Sequence, residues 1–237
     1  MIETTRWVEW EADKVTAHFH VEPSVGLSEE DSQKRYTKVG ANQLIEGKRA
    51  SFIGLFIDQF KDFMVLVLLI ATLVSGLLGE YIDAIAIISI VLLNAVLGFV
   101  QEVRAEKSLG ALKKLSAPTA RVLRQGEWQR VEASLLVPGD IVYLESGDRV
   151  PADIRFIKTD RLYIEESALT GESLPVEKIS NRLPQSVSTL GDQKNMGFMG
   201  TMTVRGTGVG VVVNTGMHTE MGKIAHLLEN TQTMDTP

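Results

Sequence analysis

The chain contains no cysteine among its 237 residues and only four histidines. The lack of cysteine excludes disulfide bonds, cysteine-based zinc sites and thiol catalysis. His18 and His20 would share one face of a strand, but two ligands do not complete a metal site, and His218 and His226 are distant in sequence. We therefore expect no metal or cofactor ligands in this chain. A formal net charge of −6 also argues against a nucleic-acid partner.

Charged residues are also missing from two long stretches, residues 63–79 and 84–100, which only four residues separate. Each stretch approaches the ~20 apolar residues that cross the hydrocarbon core of a bilayer. Two adjacent charge-free runs of this length are rare in soluble cores, and a signal peptide would begin much closer to the N-terminus. The sequence predicts an integral membrane protein with two antiparallel spans in contact with lipid, at about residues 62–80 and 83–102.

Lysine and arginine are absent from the tip between the spans, where the charged residues are Glu80 and Asp83. Basic residues stand before the first span and after the second: Lys48, Arg49, Lys61, Arg104, Lys107, Lys113 and Lys114. Because cytoplasmic flanks carry the excess of basic residues, both ends of this hairpin are expected in the cytoplasm.

The second span is expected to continue as a helix beyond the membrane. Residues 101–115 are rich in helix formers, and nothing breaks the pattern before Pro118. A helix over residues 84–115 would be about 48 Å long at ~1.5 Å per residue, more than the ~30 Å core requires. We interpret the excess as a cytoplasmic stalk, which can transmit movement to the membrane. Asn94, the strongly polar residue of this span, is interpreted as a helix contact rather than part of an ion path.

The remaining sequence predicts an α+β cytoplasmic region. Ser28 and Asp31 can cap a short helix that Gly40 ends, and apolar residues at helical spacing over 52–60 indicate an interfacial helix. After Thr119, short β-like runs suggest an antiparallel sandwich or barrel, with residues 205–208 as a hairpin turn. An amphipathic helix from about Met221 closes the region. The predicted strands are residues 120–124, 128–132, 140–145, 152–158, 162–166, 198–204 and 210–214.

One predicted loop, residues 169–175, has a composition suited to chemistry. Gly171 permits a tight turn or a positive φ, and the hydroxyls of Thr170 and Ser173 can hydrogen-bond nearby backbone. Glu172 is then the ionisable group at the tip. A Thr-Gly-Glu-Ser tetrapeptide alone is more often a solvated turn than a site.

The surroundings of that tetrapeptide add specificity. The motifs, in order, are GLSEEDSQKRYTKVGANQL at 26–44, QFKD at 59–62, Asn94 with QE at 101–102 and AE at 105–106, PGD at 138–140, GD at 147–148, VPAD at 150–153, ESAL at 166–169, NMGFMGT at 195–201 and GMHTEMGKI at 216–224. Over nearly the whole chain, this set resembles the P-type cation-transporting ATPases. The resemblance is to the branch of the sarcoplasmic reticulum, Golgi-type and bacterial calcium pumps.

The resemblance implies an enzyme that phosphorylates an aspartate from ATP, changes shape and hydrolyses the aspartyl phosphate. Its actuator domain is a distorted β jelly roll with flanking helices, tied to a membrane helix hairpin. The catalytic loop would be Thr170, Gly171, Glu172 and Ser173, with Glu172 as the catalytic carboxylate. The Asp-Lys-Thr-Gly-Thr phosphorylation motif is absent here. Mg2+ and ATP would therefore be bound by the phosphorylation and nucleotide-binding domains of the same pump, outside this chain.

The resemblance also gives a domain order. Residues 1–58 would form the N-terminal module with its interfacial helix, 59–103 the membrane hairpin, 104–118 the stalk, 119–230 the actuator β domain, and 231–237 the start of a linker to the next membrane helix. Alone, such a fragment would neither hydrolyse ATP nor transport an ion.

Several alternatives remain. The transported cation is expected to be calcium, but manganese, sodium or protons would suit a related pump, because ion ligands would lie on membrane helices outside this chain. A free-standing two-span regulator of a complete pump would have the same fold without catalytic duty. The resemblance to bacterial pumps favours a bacterial plasma membrane.

Overall fold

A computed structural model describes residues 7–44, 54, 56–57, 59–61, 63–115, 118–185 and 189–232; the side chains of residues 106–115 and 229–232 are not part of the description. The chain divides into two compact units, residues 46–116 and residues 1–45 with 117–237. The first unit is helical and the second combines helices with a β-sheet.

The helical unit is a pair of packed helices, α3 (Phe63–Leu77) and α4 (Tyr81–Leu115). Gly79, at a φ of 84°, lies in the short turn that joins them. The expected continuous helix through residues 84–115 is confirmed. Within α4, Tyr81–Ala105 is long and apolar enough to cross a membrane, whereas α3 is apolar but has 15 residues.

Side chains on α4 differ in what they face. Val91 and Ala95 are buried within the helical unit, and the ring of Phe99 lies 6.0 Å from that of Phe56. Asn94 is exposed within this pair, so it makes no buried contact with α3, and its role as a contact with another helix stays a prediction. Of the expected interfacial helix over residues 52–60, residues 52, 53, 55 and 58 lie outside the described residues, and Gln59–Lys61 form a short 3-10 helix.

The second unit begins with two short helices, α1 (Ala12–His18) and α2 (Glu29–Val39). The predicted caps of α2 are confirmed. The Ser28 hydroxyl accepts a hydrogen bond from the Asp31 amide at 3.0 Å, and Gly40 ends the helix at a φ of 84°. Helix α1 was not predicted, and it makes His18 helical, so His18 and His20 do not share a strand face.

The β-sheet is antiparallel throughout its described pairings, in the order β2-β1-β3-β7-β4-β5, with β6 also paired to β4. Its strands are β1 (Thr119–Arg124), β2 (Glu127–Glu132), β3 (Ile141–Glu145), β4 (Asp153–Glu165), β5 (Val176–Glu177), β6 (Met196–Gly197) and β7 (Met202–Asn214). The first three match the predicted strands within a residue.

The predictions for β4 and β7 were wrong in the same way. The predicted strands 152–158 and 162–166 are parts of one long strand, Asp153–Glu165, which is interrupted by register shifts rather than by a turn. Residues 198–201 are not a strand, and residues 205–208 form no hairpin, because β7 continues through them between β3 and β4.

The glycines of β7 explain this continuity. A Cβ at Gly206 would lie 2.0 Å from the Arg161 carbonyl oxygen, and one at Gly210 would lie 2.3 Å from Ile154 Cγ2. These glycines therefore let β4 approach β7 closely in an irregular ladder. A glycine-rich stretch usually signals a turn, but here it marks close backbone contact.

Two apolar clusters pack on the sheet. Alternation along β1 sends Val122 to one cluster and Leu123 to the other. The second cluster includes Val8, Val15 and Leu27, so the N-terminal segment completes the core on that face.

Buried polar groups attach the N-terminal segment to the sheet. The Arg155 guanidinium donates to the carbonyl oxygens of Trp7 at 3.3 Å and Trp10 at 2.8 Å. The Asn195 amide donates to the Val8 carbonyl oxygen at 2.9 Å. These contacts satisfy backbone groups that burial would otherwise leave unpaired.

The predicted closing helix is confirmed as α6 (Glu220–Gln232), which the side chain of Asp153 anchors. Asp153 Oδ2 accepts from the Glu220 amide at 2.9 Å, and Oδ1 accepts from the Met199 amide at 3.0 Å. Burial raises the pKa of Asp153 to about 6, although both amides favour the charged form.

Candidate functional site

The Thr-Gly-Glu-Ser segment begins at Thr170, five residues after the last residue of β4, Glu165. After β4, the chain makes a single helical turn, Ser167–Thr170, here called α5. Gly171 ends that turn in the left-handed region at a φ of 77°, and a Cβ there would have open space around it. The positive φ expected for Gly171 is confirmed, and it turns the chain outward into the following residues.

Thr170 connects the helical turn to the tip. Its hydroxyl donates to the Glu166 carbonyl oxygen at 3.1 Å and accepts from the Glu172 amide at 3.2 Å. The expectation that Thr170 holds the turn is therefore confirmed. The same expectation for Ser173 is wrong: its hydroxyl makes no hydrogen bond with any described residue and lies in the solvent-exposed stretch 171–175.

Glu172 lies at this exposed tip. Within the described residues, its carboxylate has neither an ion pair nor a hydrogen bond, and the neighbouring Leu174 side chain is 80 % exposed. A carboxylate in this position can accept a hydrogen bond from water or from a docked partner. The four predicted site residues thus form one exposed tip rather than the wall of a cleft. This tip is here called the catalytic loop (residues 170–173) after the role that the sequence predicts for it.

The base of the loop contains a buried ion pair that we did not predict. Lys178 Nζ lies 2.6 Å from Glu166 Oε1, and both side chains are completely buried. Burial raises the pKa of Glu166 and lowers that of Lys178, while each charge opposes the shift of the other. The backbone carbonyl of this same Glu166 is the one that Thr170 contacts.

Strand periodicity contains the signal for this pair. Leu162 and Ile164 near the end of β4 and Glu166 just after it continue one alternating pattern, and all three are buried. An acidic residue at an inward position needs a partner, and Lys178 supplies it from just beyond β5. The sequence alone does not identify which basic residue meets it.

No group of three or more histidine or acidic side chains in the described part of the chain is arranged to hold a metal ion. One cleft of about 450 Å³ lies between the N-terminal segment and the sheet, where Asp13, Trp128 and Lys158 contribute to its lining. None of its lining residues belongs to the catalytic loop.

Comparison with known proteins gives two family matches. Residues 114–229 match the family model of the P-type ATPase actuator domain, and residues 7–75 match that of the cation transporter/ATPase N-terminus. The first contains the catalytic loop and all seven strands of the sheet, and the second contains α1, α2 and most of α3.

Curated relatives extend the match. The chain is 58% identical over 212 residues to a calcium-transporting ATPase of Bacillus subtilis (strain 168), which covers 90% of the chain and 24% of the relative. It is 43% identical over 237 residues to calcium-transporting ATPase 1 of Bacillus cereus, covering 98% of the chain and 27% of the relative. A probable cation-transporting ATPase F of Mycobacterium tuberculosis (strain H37Rv) is 38% identical over 226 residues, with 95% and 25% covered. The chain spans about a quarter of the length of these relatives.

Proposed function

Because this chain belongs to the P-type cation-transporting ATPases, whose N-terminal and actuator domains it carries, we propose that it is the front part of an ATP-driven calcium pump. The observation that carries the proposal is the Thr-Gly-Glu-Ser loop, presented on an exposed tip of the actuator domain with Glu172 free to reach a partner. The calcium assignment is supported by the relatives named calcium-transporting ATPases.

In the proposed reaction, Glu172 acts on an aspartyl phosphate held by another domain of the pump. A water oxygen attacks phosphorus in line, the bond from phosphorus to the aspartate oxygen breaks, and the water proton passes to the Glu172 carboxylate. The products are inorganic phosphate and the free aspartate. Thr170 and Gly171 set the direction of the tip, and Ser173 completes it beside Glu172.

A mobile carrier for this carboxylate suits the pump cycle. The phosphorylated state must persist until the ion has moved, so the water-activating group must arrive late. A group on a separate domain can be withheld and then delivered. The connection to the membrane is short, because three residues separate the end of α4 at Leu115 from the start of β1 at Thr119. Rotation of the actuator domain would therefore move α4.

We further propose that α3 and α4 form a membrane hairpin with its tip outside and both flanks in the cytoplasm. Their large apolar side chains are exposed within the helical unit, including Phe63 at 74 %, Leu77 at 79 % and Ile82 at 84 %. Lipid would cover this surface. Helix α4 has 35 residues, or about 52 Å at ~1.5 Å per residue, which leaves a length for the stalk.

The described residues offer no set of ligands that fits a metal, so we propose that Mg2+ and ATP bind to phosphorylation and nucleotide-binding domains outside this chain. The domain order predicted from sequence remains our proposal, as does a bacterial plasma membrane as its location. The relatives named only as cation-transporting ATPases keep manganese, sodium or protons open as the cargo.

Glu172→Gln in the full-length pump tests the reaction. The amide keeps the shape of the side chain but cannot take the proton, so we expect phosphoenzyme to form from labelled ATP and to decay about 10²–10⁴-fold more slowly. Glu177→Gln is the matched control, because Glu177 is also exposed and lies on β5 at the other end of the same segment. Normal decay in the Glu172 variant would remove this carboxylate from the mechanism.

The cargo is tested separately by ATP-dependent uptake of radioactive calcium into membrane vesicles that contain the full-length pump. Manganese, sodium and a pH gradient are assayed in parallel. Transport of one of these without calcium uptake would replace calcium as the cargo.

A further inference from the structure

The Glu166–Lys178 pair is an unusual choice for an interior position. Two charges lie 2.6 Å apart with both side chains fully buried, and neither group has a hydrogen-bond partner elsewhere in the described residues. The Lys178 ammonium also lies 5.7 Å from the centre of the Phe198 ring. Burying such a pair gives little net stability, because desolvation offsets the attraction of the charges. The position of the pair in the fold therefore says more about its role than its contribution to stability does.

One partner is connected to the catalytic loop through its backbone. The Glu166 carbonyl oxygen accepts from both the amide and the hydroxyl of Thr170, at 3.0 Å and 3.1 Å. The Thr170 hydroxyl in turn accepts from the Glu172 amide. The direction in which Glu166 is held therefore determines where the turn toward Glu172 begins.

The other partner fixes the returning chain. The Lys178 amide donates to the Leu162 carbonyl oxygen at 2.8 Å and extends the short β4–β5 ladder. Residues 167–177 thus lie between Glu166 and Lys178, and the ion pair joins the two ends of this segment. Because residues 171–175 are exposed, the orientation of the tip depends on contacts at this base.

We propose that Glu166 and Lys178 are positioning residues that hold the Glu172 loop in the orientation needed for phosphoenzyme hydrolysis. This inference rests on the proposed catalytic function of Glu172. The pair acts through Thr170 and makes no contact with the reacting atoms. Loss of one partner alone, which leaves the other buried group unpaired at the base of the loop, is expected to slow hydrolysis of the phosphoenzyme without slowing its formation, because in the proposed reaction only hydrolysis uses this loop.

The test is a double-mutant cycle in the full-length pump, with Lys178→Met, Glu166→Gln and the two together. Single variants leave one buried group without its partner, and we expect the phosphoenzyme to decay ~10- to 100-fold more slowly, as for other small displacements of a catalytic group. The double variant keeps similar side-chain shapes and removes the unpaired charge, so decay should return to within about threefold of normal. The decay rate constant refers only to molecules that became phosphorylated, so misfolded protein does not enter it.

Asp140→Asn is the matched control, because it weakens another buried ion pair, with Arg124 at 2.9 Å, at the start of β3. It should lower stability and leave the decay rate constant unchanged. Normal decay in both single variants at Glu166 and Lys178 would overturn the inference, and so would an equal slowing in the Asp140 control. If Lys178→Met cannot be phosphorylated at all, the decay rate constants of Glu166→Gln and the double variant test the inference instead. Slow decay in Glu172→Gln with normal decay in the pair variants rejects the positioning role alone, whereas normal decay in Glu172→Gln rejects the proposed function.

Discussion

Replacing Asp153 with asparagine tests how α6 is anchored to the sheet. The Asp153 carboxylate, at the first residue of β4, accepts from the amide of Met199 and from the amide of Glu220, which is the first residue of α6. Asparagine keeps the shape and one acceptor oxygen but cannot ionise. The variant therefore separates the charge of this side chain from its hydrogen bonds.

The size and sign of the effect follow from the pKa of Asp153. Burial, assisted by the nearby charge of Glu220, raises this pKa from its ordinary value of 3.8 to about 6 in the folded chain. The folded state then holds the proton more tightly than the unfolded state. The resulting stability is fully present below about pH 3.8 and is lost as the pH rises through about 6. At about 1.4 kcal/mol per pKa unit, the free energy of unfolding should fall by about 3 kcal/mol over this window.

The assay compares the free energy of unfolding in urea for the wild-type chain and Asp153→Asn in detergent, between about pH 4 and pH 7.5. Tryptophan fluorescence reports on the sheet unit, because all three tryptophans, Trp7, Trp10 and Trp128, belong to it. Taking the difference between the two proteins cancels the titration of other groups. The lost hydrogen bond adds an offset of about 1–3 kcal/mol that does not depend on pH. Parallel curves across the whole range would refute the reasoning.

Two further predictions concern stability. Gly206→Ala should lower the free energy of unfolding by about 1–3 kcal/mol more than Gly126→Ala. Both glycines have a positive φ, but only at Gly206 would a Cβ lie 2.0 Å from the Arg161 carbonyl oxygen. Urea unfolding of both variants measures the difference. Equal losses would contradict the close approach of β4 and β7. Asn42→Ala should lower the free energy of unfolding by about 1–3 kcal/mol, because the buried Asn42 side chain donates to the Ala133 and Pro151 carbonyl oxygens and accepts from the Gly216 amide. A decrease below about 0.5 kcal/mol in the same assay would mean that water replaces these hydrogen bonds.

The helices were predictable where local signals agreed. Ser28, Asp31 and Gly40 marked both ends of α2, and the apolar run into α4 marked its length. Each of these signals acts within one or two turns of the chain, so tertiary contacts had little to override. Helix α1 was missed because it has seven residues and its Glu11 N-cap makes no side-chain cap.

The long strands were not predictable from local signals. The glycines around Gly206 suggested a turn, yet their role is to admit the backbone of β4 from more than forty residues away. Such a contact has no signature in the sequence of β7 itself. The bulges within β4 likewise divided one strand into two apparent ones.

The catalytic loop was located by its motif, but its support was not. Gly171 and Thr170 behave as their chemistry predicts, because a positive φ and a hydroxyl hydrogen bond to a residue four positions earlier depend only on nearby sequence. The Glu166–Lys178 pair depends on β5 returning beside β4, which involves only two residues of strand. The motif thus located the exposed Glu172, whereas the tertiary fold was needed to find the buried pair at the base of its loop.

The N-terminal segment and the sheet share one core although the helical hairpin separates them in sequence. Val8 accepts hydrogen bonds from the amide of Leu183 and the side chain of Asn195, which lies 187 residues later. As the polypeptide emerges from the ribosome, α3 and α4 are complete well before Asn195 exists. The N-terminal segment therefore cannot form these contacts until α3, α4 and most of the sheet unit have been translated. This arrangement sets an order of biogenesis in which the helical pair is synthesised before the core of the sheet unit can be completed.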